Sequence, residues 1–308
     1  MLRDFCVCIM DKNVTKTENK ARGVFHIILA ALGFSLMTLF LKLSGDLPTM
    51  QKALFRNLVA FFMAVIVLAG SKEKFKINKP TIPGLLMRCL FGTAGLIANF
   101  WAVDRLDLAD SNMLNKMSPF FAMIMSIFIL KEKPVLFEWL TIILAFLGVI
   151  LIVKPGKGLA SLPALVGLFS GFGAGTAYAF LRSVTSRGER GPVVVMCFSL
   201  FSTLVTLPFF ILEYEPMTTK QLIYLLLAGA SAMVGQMNIT AAYTYAPAKE
   251  ISVYDYSQVI FAAILGFFVF SEIPDTLSIA GYVIIIGAGV MKWLYSTEKL
   301  PGMTRKLF

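Results

Sequence analysis

The chain runs to 308 residues, 57% of them hydrophobic and only 15% charged, with a formal net charge of +10. That balance is too apolar for a soluble domain of this size and defines a membrane protein. The excess positive charge does not point to nucleic acid, because the cations lie between apolar runs and form no patch interleaved with aromatics.

The opening stretch MLRDFCVCIMDKNVTKTENK scatters acids and lysines where a cleaved signal needs a continuous apolar core, so the first helix is expected to stay in the mature chain. Cys6 and Cys8 lie in this tail, while Cys89 and Cys197 fall inside apolar runs. Neither a disulfide framework nor a zinc spacing emerges, and no metal or cofactor is called for.

Crossing about 30 Å of hydrocarbon takes roughly 20 apolar residues as a helix. Ten runs qualify in chain order: Ala21–Leu43, Pro48–Ala69, Pro83–Val103, Ala109–Leu130, Phe137–Val153, Leu162–Arg182, Pro192–Leu212, Gln221–Tyr245, Ala248–Phe270 and Thr276–Tyr295. They are continuous rather than short and alternating, which suits helices and not a barrel. Lys72, Lys74, Lys76, Lys79, Arg182, Arg187, Arg190, Lys299, Arg305 and Lys306 fall on the same side as the basic N-terminal tail. The opposite side holds Lys42, Arg105, Lys154, Lys157 and Lys220. Because lysine and arginine accumulate on the cytoplasmic side, both termini are expected in the cytoplasm of a multi-pass cell-membrane protein.

The stretch FFAMIMSIFILKEKP (Phe120–Pro134) returns as IFAAILGFFVFSEIP (Ile260–Pro274), each followed by an apolar helix. Ala122 and Ala262, Glu132 and Glu272, and Pro134 and Pro274 all stand 140 positions apart. Five helices, an odd number, separate the copies, so the two halves enter the membrane from opposite sides. The expected fold is an all-α membrane protein of ten transmembrane helices built from two inverted five-helix repeats. Its expected parts are a cytoplasmic tail (1–20), a first repeat (21–155), a second (156–295) and a second cytoplasmic tail (296–308).

This doubled pattern of small residue, apolar stretch, Glu then Pro and Gly-containing helix resembles the EamA domain of the drug/metabolite transporter superfamily. QKALFRNLVAFF in the second helix, LMRCLFGTAG in the third and VILIVKPG at the end of the first repeat are similar to that family as well. The resemblance covers about 21–295. It implies export or import of small metabolites, driven by protons or by substrate exchange, through a central cavity open to one side at a time. Lys116 departs from the pattern, since the family usually has an apolar residue ahead of its Ser-Pro.

Lys52, Arg56, Arg88 and Lys116 are cations inside predicted helices. A charge at mid-bilayer costs about 2.5–3.5 kcal/mol on insertion scales, so it faces a partner or water. At about 1.5 Å per residue, Lys116 lies about 10 Å and Arg56 about 12 Å below the outer edge, at matching depth. Asp255 lies about 10 Å above the inner edge, and side chains lean toward their own helix N-terminus, so no direct Lys116–Asp255 bridge is expected. Arg88, about 8 Å in from the inner side, is the expected partner of Asp255. The pair is a candidate for gating or, with Asp255 titrating, for proton coupling.

The outer half then holds Arg56 and Lys116 without a carboxylate at their depth, an arrangement that attracts an anion. Asn112, Asn115 and Lys116 share a helical face by their spacing, and Asn99 and Trp101 add a hydrogen bond and an aromatic wall; with Arg56 these make the candidate substrate site. Tyr254, Tyr256, Gln236 and Asn238 are secondary cavity candidates, for which helix packing is the competing reading. Competing readings also stand for Lys52 and Lys116, whose long stems can snorkel to the headgroups, and for Arg56 as a lock on helix carbonyls. Gly167, Gly171 and Gly175 form a small-residue ladder suited to close packing.

The function expected is secondary active transport of a small anionic or zwitterionic metabolite. No GxxxxGK[ST] loop supports direct nucleotide drive. A membrane enzyme would need a nucleophile, base or metal cluster, which one histidine, His26, and unpaired acids do not supply. An accessory lipid flippase is the remaining alternative. The expected partners are a small solute and the lipid bilayer, not nucleic acid; a homodimer is left open.

Overall fold

A computed structural model of the chain describes residues 20–70, 77–131, 135–153, 161–245 and 252–296. Cys6, Cys8, Glu132, Pro134, Ala248 and Glu250 lie outside the described residues, as do 1–19 and 297–308. All described elements are helical: α1 (Lys20–Leu43), α2 (Thr49–Ala69), α3 (Ile82–Val103), α4 (Leu108–Asn115), α5 (Ser118–Ile129), α6 (Leu136–Val153), α7 (Ser161–Ser186), α8 (Gly191–Leu212), α9 (Thr219–Tyr245), α10 (Ser257–Phe270) and α11 (Thr276–Ser296). Short 3₁₀ turns precede α3 (Lys79–Thr81) and α10 (Ser252–Tyr256).

Nine described helices, some extended by a 3₁₀ turn, are long and apolar enough to cross a membrane. The predicted run Ala109–Leu130 is different, because it is broken into α4 and α5. Pro119, at the start of α5, lacks the N–H that would continue the ladder to Asn115. Lys116 N still bonds Asn112 O at 2.9 Å, but Met117 N tightens onto Leu114 O at 3.2 Å before the helix resumes at Ser118. The first predicted turns of the ninth run are likewise not α-helical where they are described, the 3₁₀ turn Ser252–Tyr256 leading into α10.

Packing partners are reciprocal between the two halves. Helix α1 lies on α9 and α7 on α3; α5 lies on α7 and α10 on α1; α2 meets α8 and α6 meets α11. Glycines set the closest approaches, as expected where lipid supplies no hydrophobic drive and backbones associate through van der Waals contact. A Cβ on Gly33 would stand 2.7 Å from Gly235 N, and one on Gly173 would stand 2.7 Å from Gly95 Cα. Gly33 and Gly173, like Gly95 and Gly235, are 140 positions apart, the spacing of the sequence repeat. Lys131 and Ser271, again 140 apart, are the two non-glycine residues with positive φ among the described residues, both at 57°. The ladder on α7 presses against the broken helix: Cβ atoms at Gly171 and Gly175 would meet Leu114 O at 2.6 Å and Ser118 O at 2.5 Å.

The periphery of α6, α8, α10 and α11 carries large exposed apolar side chains, among them Ile143, Leu204, Ile211, Phe268 and Val283. Such a belt suits hydrocarbon and not water. Below, the face bearing the start of α1 is the N-terminal face and the opposite one the distal face.

Candidate functional site

The charged groups of the spans fall into separate centres. In the first, Arg56 on α2 is only 8% exposed, and its Nη1 donates to Asn57 Oδ1 at 2.8 Å. The Asn57 amide is oriented by Ser202 on α8, at 2.7 Å, and by the Ala53 carbonyl, at 2.8 Å. Arg88 on α3 has its guanidinium 4.5 Å from the centre of the Phe198 ring of α8. Gly92 makes that placement possible, since a Cβ there would collide with Arg88 Nη1 and stand 2.9 Å from Phe198. Arg88 lies within electrostatic range of Arg56, and Tyr178 of α7 within range of both. The Nε atoms of both arginines are buried without an acceptor. Among the described residues, no carboxylate bridges either guanidinium.

The second centre joins the two helix breaks. Lys116 Nζ lies 2.5 Å from Asp255 Oδ2, while Asp255 Oδ1 is buried without a partner. Beside it, Asn112 donates to Leu108 O at 2.7 Å and to Thr38 Oγ1 at 3.3 Å, and it accepts from Gln258 Nε2. Ser35 Oγ donates to Gln258 O at 2.9 Å, so α1, α4 and α10 share one polar network.

Toward the distal face Lys42 and Lys52 are paired. Lys42 contacts Glu272 and donates to Leu106 O at 2.6 Å, and the same carboxylate accepts Leu108 N at 2.8 Å, capping α4 in place of Asp107. Lys52 lies 2.6 Å from Asp104. Burial pushes the Asp104 carboxyl above the usual carboxylate range, and the Lys52 ammonium draws it partly back.

These positions correct several expectations. Lys116 and Asp255 do bridge, whereas the expected difference in depth holds only along uninterrupted α-helices. The break at Lys116 and the 3₁₀ turn at Asp255, which rises about 2.0 Å per residue, remove that premise. Arg88 is therefore not the partner of Asp255 and rests on Phe198 instead. Lys52 does not snorkel: it is 0% exposed, held by the carboxylate that the short α3–α4 connection brings beside it.

The predicted substrate set also divides. Arg56 stands in the first centre and Lys116 with Asn112 in the second, while Asn115 donates to Ser170 on α7 at 3.1 Å. Asn99 is buried on α3, and Trp101 carries the Arg105 guanidinium 4.0 Å from its ring centre at the distal end. Of the secondary candidates, Tyr256 packs into the gap left by Gly289, and Tyr254 meets Trp293 edge-on at 6.5 Å. Asn238 pairs with His26 at 2.8 Å, and His26 stacks on Tyr245, tying α1 to α9 at the N-terminal face. Gln236 lies on α9 and is not without a partner. Asn57, Gly92, Phe198 and Ser202 were not singled out by sequence reasoning. The available signal was the polar stripe Ser199, Ser202 and Thr206 along one face of an otherwise apolar α8, all three buried.

Two stretches of the chain, 21–154 and 161–292, match the model of the EamA-like transporter family. The chain is 32% identical over 270 residues to the pseudopaline exporter CntI of Pseudomonas aeruginosa, covering 86% of this chain and 94% of that one. It is 23% identical to the S-adenosylmethionine uptake transporter of Rickettsia prowazekii, covering 90% and 94%. Human solute carrier family 35 member G1 is also 23% identical, covering 95% and 87%. A solved crystal structure superposes with a TM-score of 0.64 over 92% of this chain and 100% of its own, at 13% identity, a likeness of fold alone.

Twice-matched repeats, apolar spans and buried polar centres between them define a multi-pass membrane transporter rather than an enzyme. The chain belongs to the EamA-like transporter family, whose small-molecule cargo is what its buried polar residues must be read against.

Proposed function

We propose that the protein is a secondary active transporter of a small anionic or zwitterionic metabolite, working by alternating access between two inverted five-helix halves in the cell membrane, with both termini cytoplasmic. The observation that carries the anion is the arginine pair: Arg56 and Arg88 lie within electrostatic range of each other, with Nε buried and without an acceptor on either. A guanidinium stays protonated at any physiological pH, so the pair cannot shed its charge. Uncompensated positive charge in a water-poor interior is stabilised by an arriving anion, and the planar fork suits carboxylate or phosphate. Reciprocal packing of the halves around α2 and α8, which carry the site, supports the two-state rocking that alternating access needs.

Lys116 and Asp255 join α4 to the turn before α10, the two broken helices, and form a charge-neutral pair. Under this reading the pair acts on coupling and gating and not as the anion site. Asp255, with one oxygen unpartnered, is the group through which a proton would be taken up.

Counterflow in proteoliposomes tests the proposal. Vesicles loaded with an unlabelled mixture of small carboxylates and phosphate esters are expected to accumulate labelled members of that mixture. The double variant R56Q/R88Q, inserted and folded, is expected to accumulate none. Undiminished accumulation by that variant would overturn the assignment.

A further inference from the structure

Resting on the reading above, we infer that the solute carries two negative charges close together, as a dicarboxylate or a phosphate monoester does, and that single-charged anions are poor cargo. Most cations of the described helices are already accounted for. Lys42 is bound by Glu272, Lys52 by Asp104 and Lys116 by Asp255. Lys292 sits 5.7 Å over the Phe120 ring with Glu138 in electrostatic range. Arg105 lies at the distal end on Trp101. Arg22, Lys79, Arg182 and Lys220 are exposed near the ends of their spans. What remains in the interior without a carboxylate bridging it, among the described residues, is a pair of positive charges, Arg56 and Arg88.

A monoanion placed between them neutralises one and leaves the other uncompensated in a medium where charge is costly. A dianion neutralises both. Each guanidinium has capacity to spare: Arg56 spends Nη1 on Asn57, and Arg88 rests through its face on Phe198. Both Nε atoms remain free of acceptors, which leaves each arginine one edge for an oxyanion. The same helices carry buried hydroxyls without partners. Thr93 and Ser199 stand one residue from Gly92 and Phe198 respectively, and their oxygens, like that of Thr203, are buried without partners. Five of the nine buried polar side-chain atoms without a partner, among the described residues, thus belong to α2, α3 and α8.

Charge matching has a consequence for transport. The carrier loaded with a dianion changes conformation with this centre electrically neutral, whereas the empty carrier must move two positive charges through the same change. Exchange of one dianion for another is then fast and net flux slow.

The test is thermal stabilisation of the detergent-solubilised full chain, titrated with dicarboxylates of increasing chain length, monocarboxylates of matching length, and a phosphate monoester. At least one dianion is expected to stabilise at a concentration on the order of a hundredfold lower than its matched monoanion. In R88Q, which retains one guanidinium, that preference is expected to shrink to a few-fold while monoanion binding persists. Stabilisation by carboxylates only, or by the phosphate monoester only, identifies the source of the two charges and supports the inference either way. Equal potency of matched monoanions and dianions in the unaltered protein overturns it while leaving anion transport standing. No stabilisation by any anion, in a protein with an intact unfolding transition, overturns the anion reading itself and this inference with it.

Discussion

Two buried cationic centres of this protein handle the same physical problem in opposite ways. At Lys116 the chain supplies its own counterion, Asp255, at 2.5 Å, and ties the pair into the break between α4 and α5. At Arg56 and Arg88 it supplies an amide and an aromatic ring and, among the described residues, no carboxylate. A charge that a protein neutralises by itself serves architecture or switching. One that it leaves open serves something that comes and goes.

The contrast is sharpest in stability. Removing one member of a buried ion pair strands the other, at a cost of about 3–5 kcal/mol. K116M and D255N are therefore each expected to lower the thermal transition strongly, while K116M together with D255L recovers much of the loss. A double-mutant cycle read from unfolding transitions checks this. At the arginine centre the sign reverses: R88Q removes a charge that nothing neutralises, so stability is expected to hold or to rise, by up to about 3 kcal/mol, while anion transport is lost. Loss of stability in R88Q on the scale of K116M would erase the distinction between the two centres.

If enough D255N folds for assay, it separates coupling from binding. With the proton acceptor gone, uptake driven by a pH gradient is expected to fall to background, while exchange of anion for anion continues at the intact arginine centre. Equal loss of both activities in folded protein would assign Asp255 to the site itself.

What the sequence made legible, and what it hid, follows the same division. Nine spans and the repeat could be read because apolar length and a fixed 140-residue spacing are properties of the chain alone. The ion pairing could not. Counting 1.5 Å per residue is valid only along an unbroken helix, and Pro119 had already signalled that the fourth run is not one. Arg56 was identifiable as a cation needing a partner. Its company was not, since Arg88, Gly92 and Phe198 come together only through the packing of α2, α3 and α8. Lys52 shows the same limit, because the burial that keeps it from the headgroups depends on Asp104 reaching it from the end of α3.

Phe198 and Gly92 both contact or border Arg88, and under the proposed reading they position it rather than bind the solute. F198L removes a cation–π contact of about 0.5–2 kcal/mol, so anion affinity is expected to weaken between about twofold and thirtyfold with the fold intact. G92A adds a methyl group in the space Arg88 Nη1 occupies and is expected to weaken binding by a similar amount. Thermal stabilisation by the preferred anion measures both. A loss in F198L larger than that in R88Q would place the ring against the solute itself.

The smallest effect is expected at Ser202. Its Oγ accepts the Asn57 amide at 2.7 Å, but the Ala53 carbonyl accepts the same nitrogen at 2.8 Å. With one of two acceptors removed, S202A leaves the amide oriented and its oxygen still aimed at Arg56. One neutral hydrogen bond contributes about 1 kcal/mol, so anion affinity is expected to change by no more than about fivefold. Ser202 is thus a support for Arg56, two bonds removed from the cargo. If S202A instead abolished anion binding while the protein kept its unfolding transition, the hydroxyl would be touching the solute, and the binding site would have to extend along the Ser199–Ser202–Thr206 stripe of α8.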